Sequence, residues 1–520
     1  MSLTDKSNAM KKLLIILFTL VSTFSLRAAD GDSIWGVNFI HDIYFNFTQN
    51  PYWDTLLANY NADRYTSCEM IFDGTVLPST GVRFKGNSSF NAPGVKKSFK
   101  VDLNEFVPGQ DYDGIKKFNL NNVFKDPTFI REKLTLDFMR RNNIHAPRCT
   151  YARVYLNNVY WGLYTLVEDV NSKFLSQHYN NNNGNLFKGD PTGDLKWFGN
   201  SVSSYTSKYE LDETLTNDWT DLIELIDSIN NANPSTYYSS LETVLNGQDA
   251  ISNLVIMNIF VNLDSYSGSG HNYYLFHDSL QGVFRWIPWD VNESFGTFTM
   301  GMTPTQLKNL PFDYVSQSNN RPLAVKFNTD PTYRSVYIGT YCNLMQNFTN
   351  AYLDPYIDSL ANVIRSDVYA DPNKAYSNQD FENNLTSDIS VPGPQGVSTI
   401  LGLKDFITSR RSSLITQLSA FGCWLSNENN AATTFTESFS VLPNPAHNII
   451  NFVIPSTWEN SMCTAKVIDL SGRTVLSNSF ISATGTQSLE ISFLSAGAYY
   501  LSLSNATGQS TTAGFTISAD

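Results

Sequence analysis

Asn262-Leu263-Asp264, His271-Asn272-Tyr273-Tyr274-Leu275 and Trp286-Ile287-Pro288-Trp289-Asp290-Val291-Asn292 form the stretch that decides how this chain folds. Apolar residues recur at helical spacing over 251–263. A Gly/Ser-rich loop over 265–270 follows, then a strand, a turn at Gln281-Gly282 and a second strand. The reading is a β-hairpin hung after a helix, which brings Asp264, Asn272 and Asp290 to neighbouring positions. Two carboxylates and an amide oxygen are hard donors. They suit Mg²⁺ or Mn²⁺, with phosphates filling the remaining positions.

Outward from the hairpin, the two halves of the central chain differ. On the N-terminal side, 77–85, 97–103, 117–121, 150–156 and 161–167 read as strands. One helix interrupts them. Asp126-Pro127 reads as an N-cap with proline at the first helical position, and Ile130, Leu134 and Phe138 carry the periodicity to about Arg141. On the C-terminal side, 219–230, 240–245, 251–263, 333–364 and 403–418 have helical spacing. The expected fold class is α+β over residues 30–425: a strand-rich N-lobe and a helical C-lobe with a cleft between them.

The cluster also fits the logic of phosphoryl transfer. One Asp accepts or orients a substrate hydroxyl, while an Asn and a second Asp hold the metals that neutralise phosphate charge. The order Asp…Asn…strand-turn-strand…Asp matches that of protein kinases. The spacing does not, because Asn272 is eight residues after Asp264 and neither HRD nor DFG is present. On spacing alone, Asp264 capping the loop and Asp290 holding a turn is an equal reading.

Composition narrows the alternatives. The chain has 520 residues, too many for one small module. Its formal net charge is −13, with no Lys/Arg-rich block, which argues against nucleic acid or an anionic membrane surface as main partner. Hydrophobic residues are 42%, enough for a large core, so global disorder is excluded. Five scattered cysteines form no CxxC pair, so zinc and redox motifs lack support; disulfides and buried free thiols both stay open. No G-x-S-x-G, H-E-x-x-H or P-loop occurs.

The ends read differently from the middle. Lys11-Lys12, an apolar run over 13–26 and Ala28-Ala29 make a secretory signal, so 1–29 is taken as leader and signal peptide. No other stretch is apolar for long enough to span a membrane, so the mature chain is expected to hold no transmembrane segment. Residues 426–436 are a polar linker, and 437–520 alternate as short strands of a small β-sandwich. Leu442-Pro443-Asn444-Pro445-Ala446, Asp469-Leu470-Ser471-Gly472-Arg473 and Ser495-Ala496-Gly497-Ala498-Tyr499-Tyr500 resemble the C-terminal sorting domain of the type IX secretion system. That resemblance implies a Bacteroidetes-type bacterium, the type IX machinery as a partner, and a secreted or surface location reached through the periplasm.

The middle carries a second resemblance. Gly81-Val82-Arg83-Phe84-Lys85-Gly86-Asn87-Ser88-Ser89-Phe90, Lys96-Lys97-Ser98-Phe99-Lys100, Leu156-Asn157-Asn158-Val159-Tyr160-Trp161-Gly162-Leu163-Tyr164 and the Asp264…Asn272…Trp289-Asp290 cluster are similar to the spore-coat CotH kinase family, in order over roughly 36–420. The resemblance implies a secreted, atypical protein-kinase-like fold. It would use ATP and Mg²⁺ or Mn²⁺ to phosphorylate Ser/Thr on protein substrates. It assigns Asp264 as the catalytic aspartate, Asp290 as main metal ligand and Asn272 as second metal contact. The family's second acidic residue, two after the Trp-linked aspartate, is Asn292 here. Gly86 and Ser88 would offer backbone N–H groups to phosphate, although an ordinary hairpin turn explains them equally. Lys97, which shares a strand face with Phe99, Val101 and Leu103, is the first candidate for the phosphate-pairing lysine, and Lys85 the second. Glu132 is a candidate partner for that lysine, and Val167-Glu168-Asp169 lies where a hinge would be. Against the kinase stands a non-catalytic pseudokinase acting as a surface binding or adhesion protein.

Overall fold

Alternation of apolar and polar residues rolls the first part of the chain into a barrel. Strands β1 (Ile40–Asn46), β2 (Thr66–Phe72), β3 (Thr75–Lys85), β4 (Ser98–Asp102), β5 (Lys117–Asn121), β6 (Cys149–Leu156) and β7 (Val159–Glu168) close in the order β1-β2-β3-β4-β5-β7-β6. Neighbours are antiparallel except β1 and β6, whose parallel register from Ile40–Tyr151 to Phe45–Leu156 closes the ring. Phe84 lies opposite Phe99, and Arg83 opposite Lys100. Period-two alternation therefore sends Val82, Phe84, Phe99 and Val101 into one buried core and turns Arg83, Lys85 and Lys100 to the other face.

The computed structural model describes residues 30–35, 40–213, 218–316, 321–393, 396–421, 423, 441–454 and, with short gaps, 458–518. The signal peptide and the 426–436 linker lie outside the described residues. The chain divides into two compact units near residue 426.

Beyond the barrel, the first unit is mixed α+β. Strands β8 (Leu186–Lys188), β9 (Glu210–Glu213), β10 (Tyr273–Asp278) and β11 (Val283–Pro288) form a sheet in the order β11-β10-β8-β9. The helix Gly247–Ile259 is buried along almost its whole length, and helices Pro331–Leu344, Asn350–Ala370 and Leu403–Leu418 contribute to the same core. Cys342 and Cys423 form a disulfide, while Cys68, Cys149 and Cys463 are buried free thiols.

Several expected boundaries move. The helix anticipated from Asp126 begins at Arg131 instead. The Asp126 carboxylate accepts the Thr128 and Arg131 amides and pairs with the Arg131 guanidinium, so from five residues upstream it braces the turn and takes the first helical N–H, while Ile130 holds the cap position. The single helix read over 333–364 is two helices, because Thr349 caps a new start by accepting the Tyr352 amide. The helix read to Leu263 stops at Ile259, and Val261 adopts a left-handed φ of 48°.

The second unit has two antiparallel sheets. One contains Val441–Leu442, Ile449–Val453 and Thr486–Glu490, the other Met462–Asp469, Thr474–Ile481, Gly497–Asn505 and Ser510–Ile517. Residues from both sheets, among them Ile450, Phe452, Val467 and Leu501, share one apolar core.

Arg131 tests the account of this core. It is fully buried, and its guanidinium also donates to Asn384 Oδ1 (2.7 Å) and the Leu401 carbonyl (2.6 Å). Asp126→Ala leaves that cation without its carboxylate and is expected to destabilise the fold by about 3–5 kcal/mol. Urea unfolding measures this; a loss below about 1 kcal/mol would contradict the role given to the pair.

Candidate functional site

A cleft of about 680 Å³ opens against the polar face of β3–β5 and the β8–β10 sheet. The hairpin delivers two of its residues. Tyr273 pairs with Pro288, so Asn272 just before β10 and Asp290 just after β11 emerge together at the open end. Both take left-handed backbone, φ 62° and 50°, a conformation that Asn and Asp tolerate better than most residues. The buried helix delivers the third. After Ile259 the chain turns through Asn262, whose side chain accepts the Asp264 amide at 3.0 Å.

These three residues line one cleft, as do Lys85, Gly86 and Ser88. Asp264 Oδ1 meets His271 Nε2 at 2.6 Å. The Asn272 amide donates to the Asp264 carbonyl (2.8 Å) and to Oδ2 (3.1 Å). Burial alone would raise the Asp264 carboxyl, but the hydrogen bond and charge of His271 outweigh it and hold the group below the ordinary carboxylate range. In His271, burial favours the neutral ring, and the hydrogen bond and charge of Asp264 overcome that, so the imidazole is raised above its ordinary value.

The charges lining the cleft separate into paired and unpaired groups. Arg83 pairs with Asp63, Lys100 with Asp169, and Lys188 with Asp190 and Glu210. Among the described residues, neither Lys85 nor Asp290 takes part in an ion pair. The Lys85 ammonium donates to Asn121 Oδ1 at 3.2 Å and lies 5.0 Å from the Trp289 ring. Burial lowers Lys85, with Asp290 and Glu132 opposing, and burial raises Asp290, with Lys85 opposing. Each group's charge is thus disfavoured by its surroundings and partly restored by the other.

Lys97 corrects the order of the two lysine candidates. It is not part of the cleft lining. Its ammonium donates to the Phe90 and Ala92 carbonyls at 2.6 and 2.8 Å, where it fixes the turn after Gly86. It precedes β4 on the parity of inward-facing Phe99, whereas Lys85 has the outward parity of Arg83. Gly86 has φ 88°, and a Cβ there would meet Ser89 Oγ at 2.3 Å, so only glycine suits this turn. Glu132 does not pair directly with a lysine: Asn121 stands between, accepting from Lys85 and donating to both Glu132 oxygens at 2.8 and 3.0 Å. At the hinge position, Glu168 binds Arg148 and Asp169 binds Asn119; neither side chain lines the cleft.

Glu293 is a site residue that sequence reasoning missed. It is 5% exposed, lines the cleft, and is raised to about 7 by burial against the opposing charge of Lys125. Its only signal was its place one residue after Asn292.

The Asp264–His271 pair has a measurable consequence. Its His271 part stabilises the fold fully below the unfolded value of about 6.5 and is lost as pH rises through the higher folded value. Its Asp264 part is present above about 3.9 and is lost as pH falls through the lower folded value. NMR titration of the His271 ring is expected to give a midpoint above about 6.5 that falls in Asp264→Asn; an equal midpoint in the two proteins would refute the pairing.

Comparison with known proteins agrees with this layout. The family model described as CotH kinase protein matches residues 82–414, well over half of the chain, and the one described as Secretion system C-terminal sorting domain matches 440–517. Inner spore coat protein H of Bacillus subtilis (strain 168) is 25% identical over 289 residues, 55% of this chain and 76% of that protein. Invasin CotH3 of Rhizopus delemar is 25% identical over 191 residues, 35% of this chain and 31% of the invasin, and Invasin CotH2 of the same organism is 25% identical over 184 residues, 34% and 30%. The chain thus spans about a third of each invasin. The sorting domain marks the protein for secretion or the cell surface, and no helix among the described residues is long and apolar enough to cross a membrane. The chain belongs to the CotH kinase protein family and ends in a secretion sorting domain.

Proposed function

We propose that this protein is a secreted, atypical protein kinase that transfers the γ-phosphate of ATP to Ser/Thr hydroxyls of extracellular or surface proteins. The observation that carries the reading is that Lys85 and Asp290, both half-buried and without an ion-pair partner among the described residues, share one cleft with the Asp264–His271 pair. The barrel and the helix-rich part beside it would serve as the two lobes of a kinase-like fold.

Lys85 would take phosphate oxygens, with the N–H groups of the Gly86–Ser88 turn beside it. Asp290 and the Asn272 side-chain oxygen, which has no hydrogen bond among the described residues, are hard donors that fit Mg²⁺ or Mn²⁺. No three His, Cys, Asp or Glu side chains among the described residues form a ready cage, which suits an ion completed by phosphate. A bound ion would supply neutralisation of the triphosphate charge. Asp264 would accept the proton of the acceptor hydroxyl as that oxygen bonds to the γ-phosphorus and the bond to the β-phosphate oxygen breaks, releasing ADP. His271 holds the Asp264 carboxylate ionised and oriented for that step.

A non-catalytic surface-binding protein is the second reading. It is favoured by the engagement of both Asp264 oxygens, by His271 and Asn272, and by two relatives that are named invasins.

Labelled ATP with Mg²⁺ or Mn²⁺ and Ser-rich acceptors separates the two. Transfer is expected from the wild type. Asp264→Asn is expected to cut turnover by about 10²-fold or more while leaving ATP affinity within a few-fold. Lys85→Met is expected to weaken ATP affinity by about tenfold or more, whereas Lys97→Met changes it little. Wild-type turnover in Asp264→Asn would remove that residue from the mechanism.

The tail generates a separate expectation. Deleting 437–520 should hold the protein in the periplasm with nucleotide binding intact, checked by fractionation and calorimetry. Normal levels of the truncated protein outside the cell would contradict it.

A further inference from the structure

The next inference rests on the phosphoryl-transfer reading and concerns how many cations the cleft can accept. Two-metal phosphoryl-transfer sites need carboxylate oxygens for both ions. Of the carboxylates that line the cleft, Asp63 pairs with Arg83, Asp190 and Glu210 pair with Lys188, Asp212 lies beside Tyr274, and three, Asp264, Asp290 and Glu293, stand by the open end of the hairpin. Asp264 spends Oδ1 on His271 at 2.6 Å and Oδ2 on Asn272 at 3.1 Å. Glu293, buried, has both oxygens on the Lys125 ammonium, each at 3.0 Å. Asp290 alone of the three has neither oxygen in a hydrogen bond or ion pair among the described residues. Asn292 also lines the cleft, but its amide brings no charge.

The Lys125 side chain is 37% exposed, but its ammonium has neighbours besides Glu293. Its backbone takes left-handed φ 58°, and its ammonium lies 5.0 Å from the Phe124 ring and 5.6 Å from the Phe298 ring. Removing it from Glu293 would leave a buried carboxylate without its cation, which is costly. The charge of Lys125 also bears on Asp264, where it helps to keep the carboxylate ionised.

We infer that the cleft takes one divalent cation per triphosphate, on Asp290, and that Lys125, clamped by Glu293, stands in for a second ion by occupying the carboxylate that ion would need. A fixed ammonium neutralises less charge than a divalent ion, but it needs no dissolved metal and cannot dissociate.

Equilibrium dialysis of the full chain tests this, with Mn²⁺ and a non-hydrolysable ATP analogue present on both sides of the membrane. The excess of each on the protein side gives Mn²⁺ bound per analogue bound. The wild type is expected to give one. Lys125→Gln, which frees both Glu293 oxygens, is expected to give two, and Lys125→Gln combined with Glu293→Gln one again. Two Mn²⁺ per analogue in the wild type would overturn the inference while leaving the nucleotide reading standing. One Mn²⁺ in a folded Lys125→Gln protein would overturn the role of Lys125. Absence of both Mn²⁺ and analogue would overturn the inference together with the nucleotide reading. The wild-type count decides the stoichiometry even if Lys125→Gln does not fold.

Discussion

Two opposite charges, Lys85 and Asp290, sit half-buried in one cleft without an ion-pair partner among the described residues. Withdrawing a charge from water without a partner is unfavourable, and chains avoid that by pairing or by changing protonation. The other basic side chains of this cleft do pair: Arg83 with Asp63, Lys100 with Asp169, Lys188 with Asp190 and Glu210. Lys85 is lowered and Asp290 raised, the directions in which burial pushes a base and an acid. A ligand carrying both signs, a metal-bound phosphate, would relieve both groups at once. On the proposed reading, binding would remove this deficit, and stability given up at a site of this kind is a common companion of function.

The rest of the first unit holds that deficit open. Barrel parity fixes Lys85 outward and anchors it through Asn121 to Glu132 on the helix that packs beneath. The β10–β11 hairpin fixes Asp290 and Asn272 at its open end, and the buried helix Gly247–Ile259 brings Asp264 to the same place. His271 closes the set by ionising Asp264 for a proton that it would accept.

Much of this was legible in the sequence, for reasons of period. Strands β3–β7 were all read as strands, β5 with its observed bounds and the others within two residues at either end. Strands β1 and β2 were hidden because inward positions are filled by His41, Thr66 and Cys68, which do not read as apolar; His41 is satisfied by Asp73 and the Ile34 carbonyl. The closure of β1 on β6 joins residues over a hundred positions apart and has no local signature. That Asn272 and Asp290 come together was legible because a hairpin's register is local, and Asp264 lies only eight residues before Asn272. Lys97 was ranked ahead of Lys85 although the structure puts Lys85, not Lys97, in the cleft; the signal was present, because Lys97 shares the parity of Phe99 and that parity faces the core. Glu293 and Lys125 escaped because their pairing spans 168 residues.

The central claim is that Lys85 and Asp290 are kept apart to receive the two halves of a metal–phosphate ligand. A crystal structure of the full chain with Mn²⁺ and a non-hydrolysable ATP analogue tests it most directly, because the anomalous signal of manganese fixes the ion independently of the phosphate density. The account predicts manganese on the Asp290 carboxylate and a phosphate oxygen within hydrogen-bond distance of Lys85 Nζ. Triphosphate bound elsewhere, or a direct Lys85–Asp290 ion pair beside it, would contradict the account.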